Sequence, residues 1–453
     1  MDAEGTAQAA GRGDRRRRGG EGADTKLLIL TLGAMPQDVA ALAAICEPER
    51  FRYHSLGTLD TVADPGLCRP REILPALVAA ARRLAPAPRG VLAFDDYPAS
   101  PLAVLLAAEL GLPGPSVAST LICHHKYWSR LKQREAAPDA VPPFQLIELD
   151  RTYRAADLEV GFPFWVKPIK SSLSHLGFRI DRQADLAHAQ ALARQQLPAY
   201  VAAFDDMVGL APGLAAAKLP PATGEGLIAE GLIGGRQCTL EAFFQGGTMR
   251  LLGITDSICF PDHPSFSRFV YPSGLPADVQ DRMAAIAERV MRHVGFDDGQ
   301  FCLEFFYDEP RGRIWLIEIN PRFCPQFSDL YAKVDGTSGH QVLVELAAGL
   351  APSFRRGEGP HRIAASCVLR RFSDATVVRA PGEADLARLA AAIPDCHIDF
   401  LAGEGDRLSA LAQDSYSFRY AVINLGAGDA AELESRYALA CRLLPFEFAP
   451  ARD

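Results

Sequence analysis

Residues 300–322 read Gln300-Phe-Cys302-Leu-Glu304-Phe-Phe306-Tyr-Asp-Glu-Pro-Arg311-Gly-Arg-Ile-Trp-Leu316-Ile-Glu318-Ile-Asn320-Pro-Arg322. Two apolar runs flank an Asp-Glu-Pro-Arg-Gly-Arg turn, the pattern of a β-hairpin. A hairpin closing about Arg311 sets Glu304 directly opposite Glu318. Strand side chains alternate with period two, so Asn320 shares the face of Glu318. Like charges directly opposite each other destabilise a sheet, and the neighbours here are Cys302, Phe306 and Leu316. Such a pair demands a strong counter-charge, and a hard divalent cation is the usual one. Oxygen ligands without His or Cys point to Mg²⁺ or Mn²⁺ held together with substrate phosphates. The alternative is an edge hairpin with solvated acids.

The 453 residues correspond to about three compact units on ordinary domain sizes. Hydrophobic residues make up 48% and charged residues 23%, the balance of a soluble globular enzyme. A net charge of −8 speaks against nucleic-acid and membrane-surface partners. No apolar stretch is long enough for a bilayer span and the start lacks a signal peptide's apolar core. The ten cysteines show no Cys-x-x-Cys pair or zinc spacing, so they read as reduced thiols of a cytoplasmic protein.

Residues 1–24, with Arg15 to Arg18, have almost no apolar content and are expected to be a disordered, solvated tail. Lys26–Leu32 reads as a buried first strand, Gln37–Ile45 and Arg71–Leu84 as helices, and the run from Gly90 as a second strand ending at Asp95 and Asp96. Those two acids stand where open α/β sheets bind ligands, or they cap the helix that runs to Leu110. Ser116–Pro138 is a linker into a charged helix. The expected units are an α/β domain over 25–140, a small subdomain over 141–228, a large one over 229–359 and an α+β cap over 360–453. The fold class is therefore α/β and α+β.

Two further segments carry chemistry. Phe162-Pro-Phe-Trp-Val-Lys167-Pro-Ile-Lys-Ser171-Ser172-Leu-Ser174-His-Leu-Gly177 ends an apolar strand on Lys167, which is costly unless it meets an anion. Its hydroxyl-rich loop offers donors of the kind that fold over polyphosphate, although the Walker sequence is absent. Ile228-Ala-Glu230-Gly-Leu232-Ile233-Gly-Gly-Arg-Gln237 turns between two apolar stretches, either as a hinge presenting backbone groups to an adenine ring or as a plain hairpin.

In this order the segments resemble the ATP-grasp superfamily, and within it the carboxylate–amine ligases that join amino acids into dipeptides. The resemblance covers roughly residues 26–445. It implies an ATP-grasp fold with a preceding α/β domain, ATP and Mg²⁺ (or Mn²⁺) as cofactors, and amide formation through an acyl phosphate. It implies Glu304, Glu318 and Asn320 as metal ligands, and Arg322 as the group steadying the acyl phosphate. Lys126 and Lys167 match the ATP-binding lysines, with Ser171, Ser172, Ser174 and Gly177 as the loop over the phosphates and a plausible lid. Glu230, Leu232 and Ile233 match the adenine hinge. One departure is Gln237, which stands where the ribose-binding acid is usual; an amide can still accept from a ribose hydroxyl, and Glu241 is a nearby substitute. His124 and His125 read as helix-start residues.

Small-molecule carboxylate and amine substrates are the implied partners, amino acids foremost, with a homodimer left open. Substrate selection is expected from Asp256–Leu275, where His263 and Arg268 suit an amino-acid carboxylate together with Arg322, and from the segment after Arg322. Simple packing of those aromatics is the alternative. Two rival functions stand beside the ligase. One is a bicarbonate-activating carboxylase, for which no Met-Lys-Met biotinylation site exists in the chain; the other is an ATP-binding protein without turnover.

Overall fold

The computed structural model describes residues 26–451 apart from 35, 94, 172–174, 221–223, 412 and 414–416. The amino-terminal unit contains β1 (Leu27–Leu32), α1 (Pro36–Ile45), β2 (Phe51–Leu56), α2 (Leu59–Ala63), α3 (Pro70–Arg82), β3 (Gly90–Ala93) and α4 (Ala99–Leu110). Its sheet is parallel in the order β2-β1-β3. The expected charged helix is two helices, α5 (Val117–His124) and α6 (Lys126–Ala136). His125 separates them because its Nδ1 accepts from the Trp128 amide and caps the second helix.

A four-stranded antiparallel sheet follows, built from β4 (Phe144–Ile147), β5 (Phe164–Pro168), β6 (Phe178–Ile180) and β7 (Leu227–Gly231) in the order β4-β7-β5-β6. The long helix α7 (Gln183–Gly209) packs Leu186, Ala189, Ala193 and Leu197 against it. Strand β7 runs past the expected boundary at 228, so the break between units falls after Gly231. Residues 232–235 then cross to a second sheet. Gly235 at the end of that crossing has φ +136, and a Cβ there would lie 2.2 Å from the Tyr307 carbonyl oxygen, so only glycine fits.

The second sheet has eight strands. Its first part comprises β8 (Arg236–Gln245), β9 (Thr248–Cys259), β10 (Phe266–Tyr271), helix α8 (Ala277–Val294), β11 (Gly299–Asp308) and β12 (Arg313–Asn320). Helices α9 (Pro325–Asp335) and α10 (Gly339–Ala347) come next, then β13 (Ile363–Arg371), β14 (Ala375–Arg379), α11 (Glu383–Ala392), β15 (His397–Phe400), β16 (Phe418–Ala427), α12 (Ala430–Leu443) and β17 (Glu447–Pro450). The order is β12-β11-β8-β9-β10-β13-β16-β15. The strands after 360 thus extend the large sheet, and β14 and β17 alone pair separately.

Alternation decides which face carries chemistry. Cys238, Leu240, Leu303 and Phe305 pack against Met283, Ala287 and Val290 of α8, which turns Gln300, Cys302 and Glu304 to the opposite face. Helix α10 leaves the large sheet and covers the amino-terminal one, where Val344, Ala347 and Ala348 meet Ile29 and Leu92. The approach is close enough that a Cβ on Gly90 would sit 2.3 Å from the Ala347 carbonyl oxygen. Among the described residues no helix is long and apolar enough to cross a membrane.

Candidate active site

Glu304 of β11 pairs directly with Glu318 of β12, and Cys302 with Asn320. The turn itself is a 3₁₀ segment, Glu309–Arg311, closed by Gly312 at φ +60. It centres half a residue short of Arg311, since Asp308 pairs with Arg313, and a bulge at Ile317 restores the register before the two acids meet. Asn320 Nδ2 donates to Glu304 Oε1 at 3.3 Å. Gln237 Nε2 donates to Glu304 Oε2 at 3.2 Å, so the residue expected at a ribose lies against the carboxylate pair. Burial and the charge of Glu318 push the Glu304 carboxyl up. Glu318 is held down despite burial, because Lys126 and Lys167 face it.

Two opposed carboxylates with a side-chain amide form an all-oxygen donor set, one carboxyl of which is electrostatically unrelieved by protein alone. That set fits Mg²⁺ or Mn²⁺. Among the described residues no group of three or more His, Cys, Asp or Glu is gathered to hold a metal, so phosphate and water oxygens would complete the shell.

Lys126, the first residue of α6, lies 3.6 Å from Glu318 Oε2 and donates to the Ser171 carbonyl at 2.7 Å. Lys167 at the end of β5 is 3.0 Å from Glu230 Oε2 and 3.8 Å from Glu318 Oε2. The lysine in an apolar strand thus meets two anions. Glu230 is buried, yet Arg130 and Lys167 bring its carboxyl down to about 2. Arg130 went unremarked in the sequence because it sits in a helix rich in charges. Only 2% exposed, it donates from Nε to Glu230 at 2.5 Å and from its terminal nitrogens to the Leu316 and Ile317 carbonyls, each at 2.6 Å. One guanidinium therefore ties Glu230 to the bulge that presents Glu318.

Arg322 stands on the other side of the carboxylates, its Nε 3.1 Å from Asp96 Oδ1 and its Nη1 3.9 Å from Cys302 Sγ. Asp96 is the acid at the end of β3, and it reaches the site rather than capping α4, whose cap is Pro98. Burial raises its carboxyl, but Arg322, His124 and Lys170 outweigh that and hold it well below the usual range. Lys170, 2% exposed, has its Nζ 3.2 Å from His124 Nδ1 and 4.0 Å from the centre of the Tyr97 ring. Burial brings that ammonium down to about 7 and drives His124 well below its ordinary value. Neither Lys170 nor its pairing with His124 was signalled by the sequence.

Other expected residues are placed as follows. Ser171 is buried beneath Lys126 and Gly177 leads into β6, while Ser172 and Ser174 lie outside the described residues, as does the 1–24 tail. Leu232 is exposed and Ile233 half-buried in the crossing between the two sheets. Glu241 is fully buried opposite Cys302 and accepts from the Cys324 amide at 2.8 Å, which fixes the loop after Arg322 rather than opening toward a nucleotide. His263 sits in the β9–β10 connection, its ring centre 4.1 Å from that of Phe372 and tilted by 48°. Arg268 pairs with Glu434 of α12, on the sheet face away from Glu304, because the alternation that turns Phe269 toward Phe327 of α9 turns Arg268 outward. These two residues are not brought to the carboxylate pair.

Residues 160–328 match the ATP-grasp domain family. A D-alanine--D-alanine ligase of Laribacter hongkongensis (strain HLHK9) is 28% identical over 218 residues, which are 47% of this chain and 61% of the relative, so the match spans less than two thirds of that protein. An L-amino acid ligase from Bacillus licheniformis superposes with TM-score 0.65 at 16% identity, covering 94% of this chain and 99% of that one. The biotin carboxylase domain dimer of the Hydrogenobacter thermophilus 2-oxoglutarate carboxylase, solved with MgADP, ADP and bicarbonate, superposes with TM-score 0.62 at 13% identity, covering 93% and 90%. The sequence match covers residues 160–328, and the likeness of fold to the L-amino acid ligase runs over 94% of the chain.

Proposed function

We propose that the protein is an ATP-dependent carboxylate–amine ligase, joining amino-acid-like substrates in an amide through an acyl phosphate and releasing ADP and phosphate. The observation that carries this reading is the Glu304–Glu318–Asn320 set with Lys126 and Lys167 on one side and Arg322 on the other. Mg²⁺ held by Glu304, Glu318 and Asn320 would neutralise the ATP phosphates. In the first step a carboxylate oxygen of the substrate forms a bond to the γ-phosphorus as the bond to ADP breaks. Such transfer is governed by positioning and charge, and Lys126 and Lys167 supply two cations to the phosphoryl oxygens. Arg322, oriented by Asp96, then holds the acyl phosphate. In the second step the amine nitrogen attacks the acyl carbon, inorganic phosphate leaves, and the nitrogen loses a proton.

The two lysines already lean on Glu318 before a nucleotide arrives, and Glu304 keeps the need for a cation. Phosphate release from ATP in the presence of amino acids, singly and in pairs, tests the reading. Glu318→Ala should lower the release by about 10²–10³-fold, the scale of losing a key electrostatic stabiliser. Release that is unchanged in the variant would contradict it.

A further inference from the structure

Beyond Arg322 the same face of β11 runs into a cavity of about 400 Å³ between the amino-terminal unit and the hairpin. Gln300 is among the residues that line it. Residues two apart on a strand are about 7 Å apart, which sets Gln300 about 13 Å along β11 from Glu304, with Arg322 and Cys302 in between. The Asp96–Arg322 pair and Asp95 line it as well. Val104 of α4 and Leu343 and Leu346 of α10 supply apolar walls. Gln300 is 3% exposed, yet neither its Nε2 nor its Oε1 has a hydrogen-bond partner. An unmet buried donor or acceptor is costly, so this amide invites a group that supplies both an acceptor and a donor.

We propose that this cavity seats the amine substrate, an amino acid whose side chain ends in an uncharged group that both donates and accepts hydrogen bonds, a carboxamide foremost, read by Gln300. The charged head group has complementary partners in the lining: Asp95 draws an ammonium and Arg322 a carboxylate. The apolar walls suit the methylenes between head and tip. Against Gln300 a carboxylate tip would face Oε1 unfavourably and an ammonium tip would leave Nε2 unpaired. An apolar tip leaves the whole amide unmet, and sites built to hydrogen-bond a substrate reject analogues that cannot. The cavity opens on the side of Arg322 away from the ATP-binding lysines, where an incoming amine does not compete with nucleotide. This assignment rests on the ligase reading for the role of the bound molecule, but binding itself requires no turnover.

The test is calorimetric titration of the full chain, with MgADP present, by glutamine, asparagine, methionine and leucine. Glutamine or asparagine should bind at least 10-fold tighter than methionine or leucine. Gln300→Met should reverse that order while MgADP affinity stays unchanged, which reports an intact fold. Val104→Phe, which adds bulk to the apolar wall, should abolish binding of all four. No carboxamide preference in the unmodified chain, or a preference that survives Gln300→Met, would overturn the proposal. Phosphate release is scored separately. Carboxamide-selective binding with no amide product from any pair would leave the pocket standing and remove the ligase. Amide formation indifferent to Gln300→Met would do the reverse.

Discussion

Arg130 is the residue on which the site's geometry turns. Its guanidinium joins three structures that are far apart in sequence: helix α6, Glu230, and the carbonyls of Leu316 and Ile317 at the bulge. Removing one partner of a buried ion pair leaves the other charged and unpaired, at a cost of about 3–5 kcal/mol. Arg130→Ala should therefore lower unfolding stability by about that amount, read as a shifted denaturant midpoint. Arg130→Lys should recover only part of it, since an ammonium cannot span the fork. The residues that hold charge in apolar strands, Lys167, Glu304 and Glu318, were legible in the sequence because burial of such groups is expensive. Arg130, Lys170 and Gln300 were not, because a polar residue in a charged helix, a serine-rich loop or a strand start looks the same whether exposed or buried.

At the level of elements, register was legible where alternation is strict. The facing of Glu304 and Glu318 follows from a symmetric turn, and the structure reaches the same pairing by a shorter turn plus a bulge. Strand β2, Phe-Arg-Tyr-His-Ser-Leu, escaped notice because its middle is polar and half-exposed; it forms only through pairing with β1. The strands after 360 looked like a separate cap, since nothing local tells a strand which sheet edge it will join. The junction of α9 and α10 carries a pH-dependent contact. His340, second in α10, lies 2.6 Å by Nδ1 from Ser328 Oγ, and burial brings its imidazole down to about 4 from an ordinary 6.5. The positive end of the helix also disfavours a proton there. The unfolded chain takes up that proton first, so His340 contributes stability that is whole above pH 6.5 and is lost as pH falls toward 4. His340→Gln, which keeps a polar partner for Ser328 but cannot titrate, should lose less thermal stability between pH 7 and pH 5 than the unmodified chain. Equal losses would show that His340 is not the titrating group.

For the whole molecule, the two sheets and the amino-terminal unit meet around one line of charge. The lysines come from α6 and β5, the carboxylates from β11 and β12, and the arginine with its Asp96 partner from the loop after β12 and the end of β3. An arrangement assembled from every unit except the carboxyl-terminal strands suits a reaction with three substrates, each approaching from a different side. The proposed reaction requires a carboxylate oxygen to become bonded to the transferred phosphorus. Its most direct measurement uses a carboxylate substrate labelled with ¹⁸O, with mass analysis of the phosphate released during amide formation. One ¹⁸O atom is expected in each inorganic phosphate, together with ADP. Unlabelled phosphate, or AMP and pyrophosphate carrying the label in AMP, would contradict it.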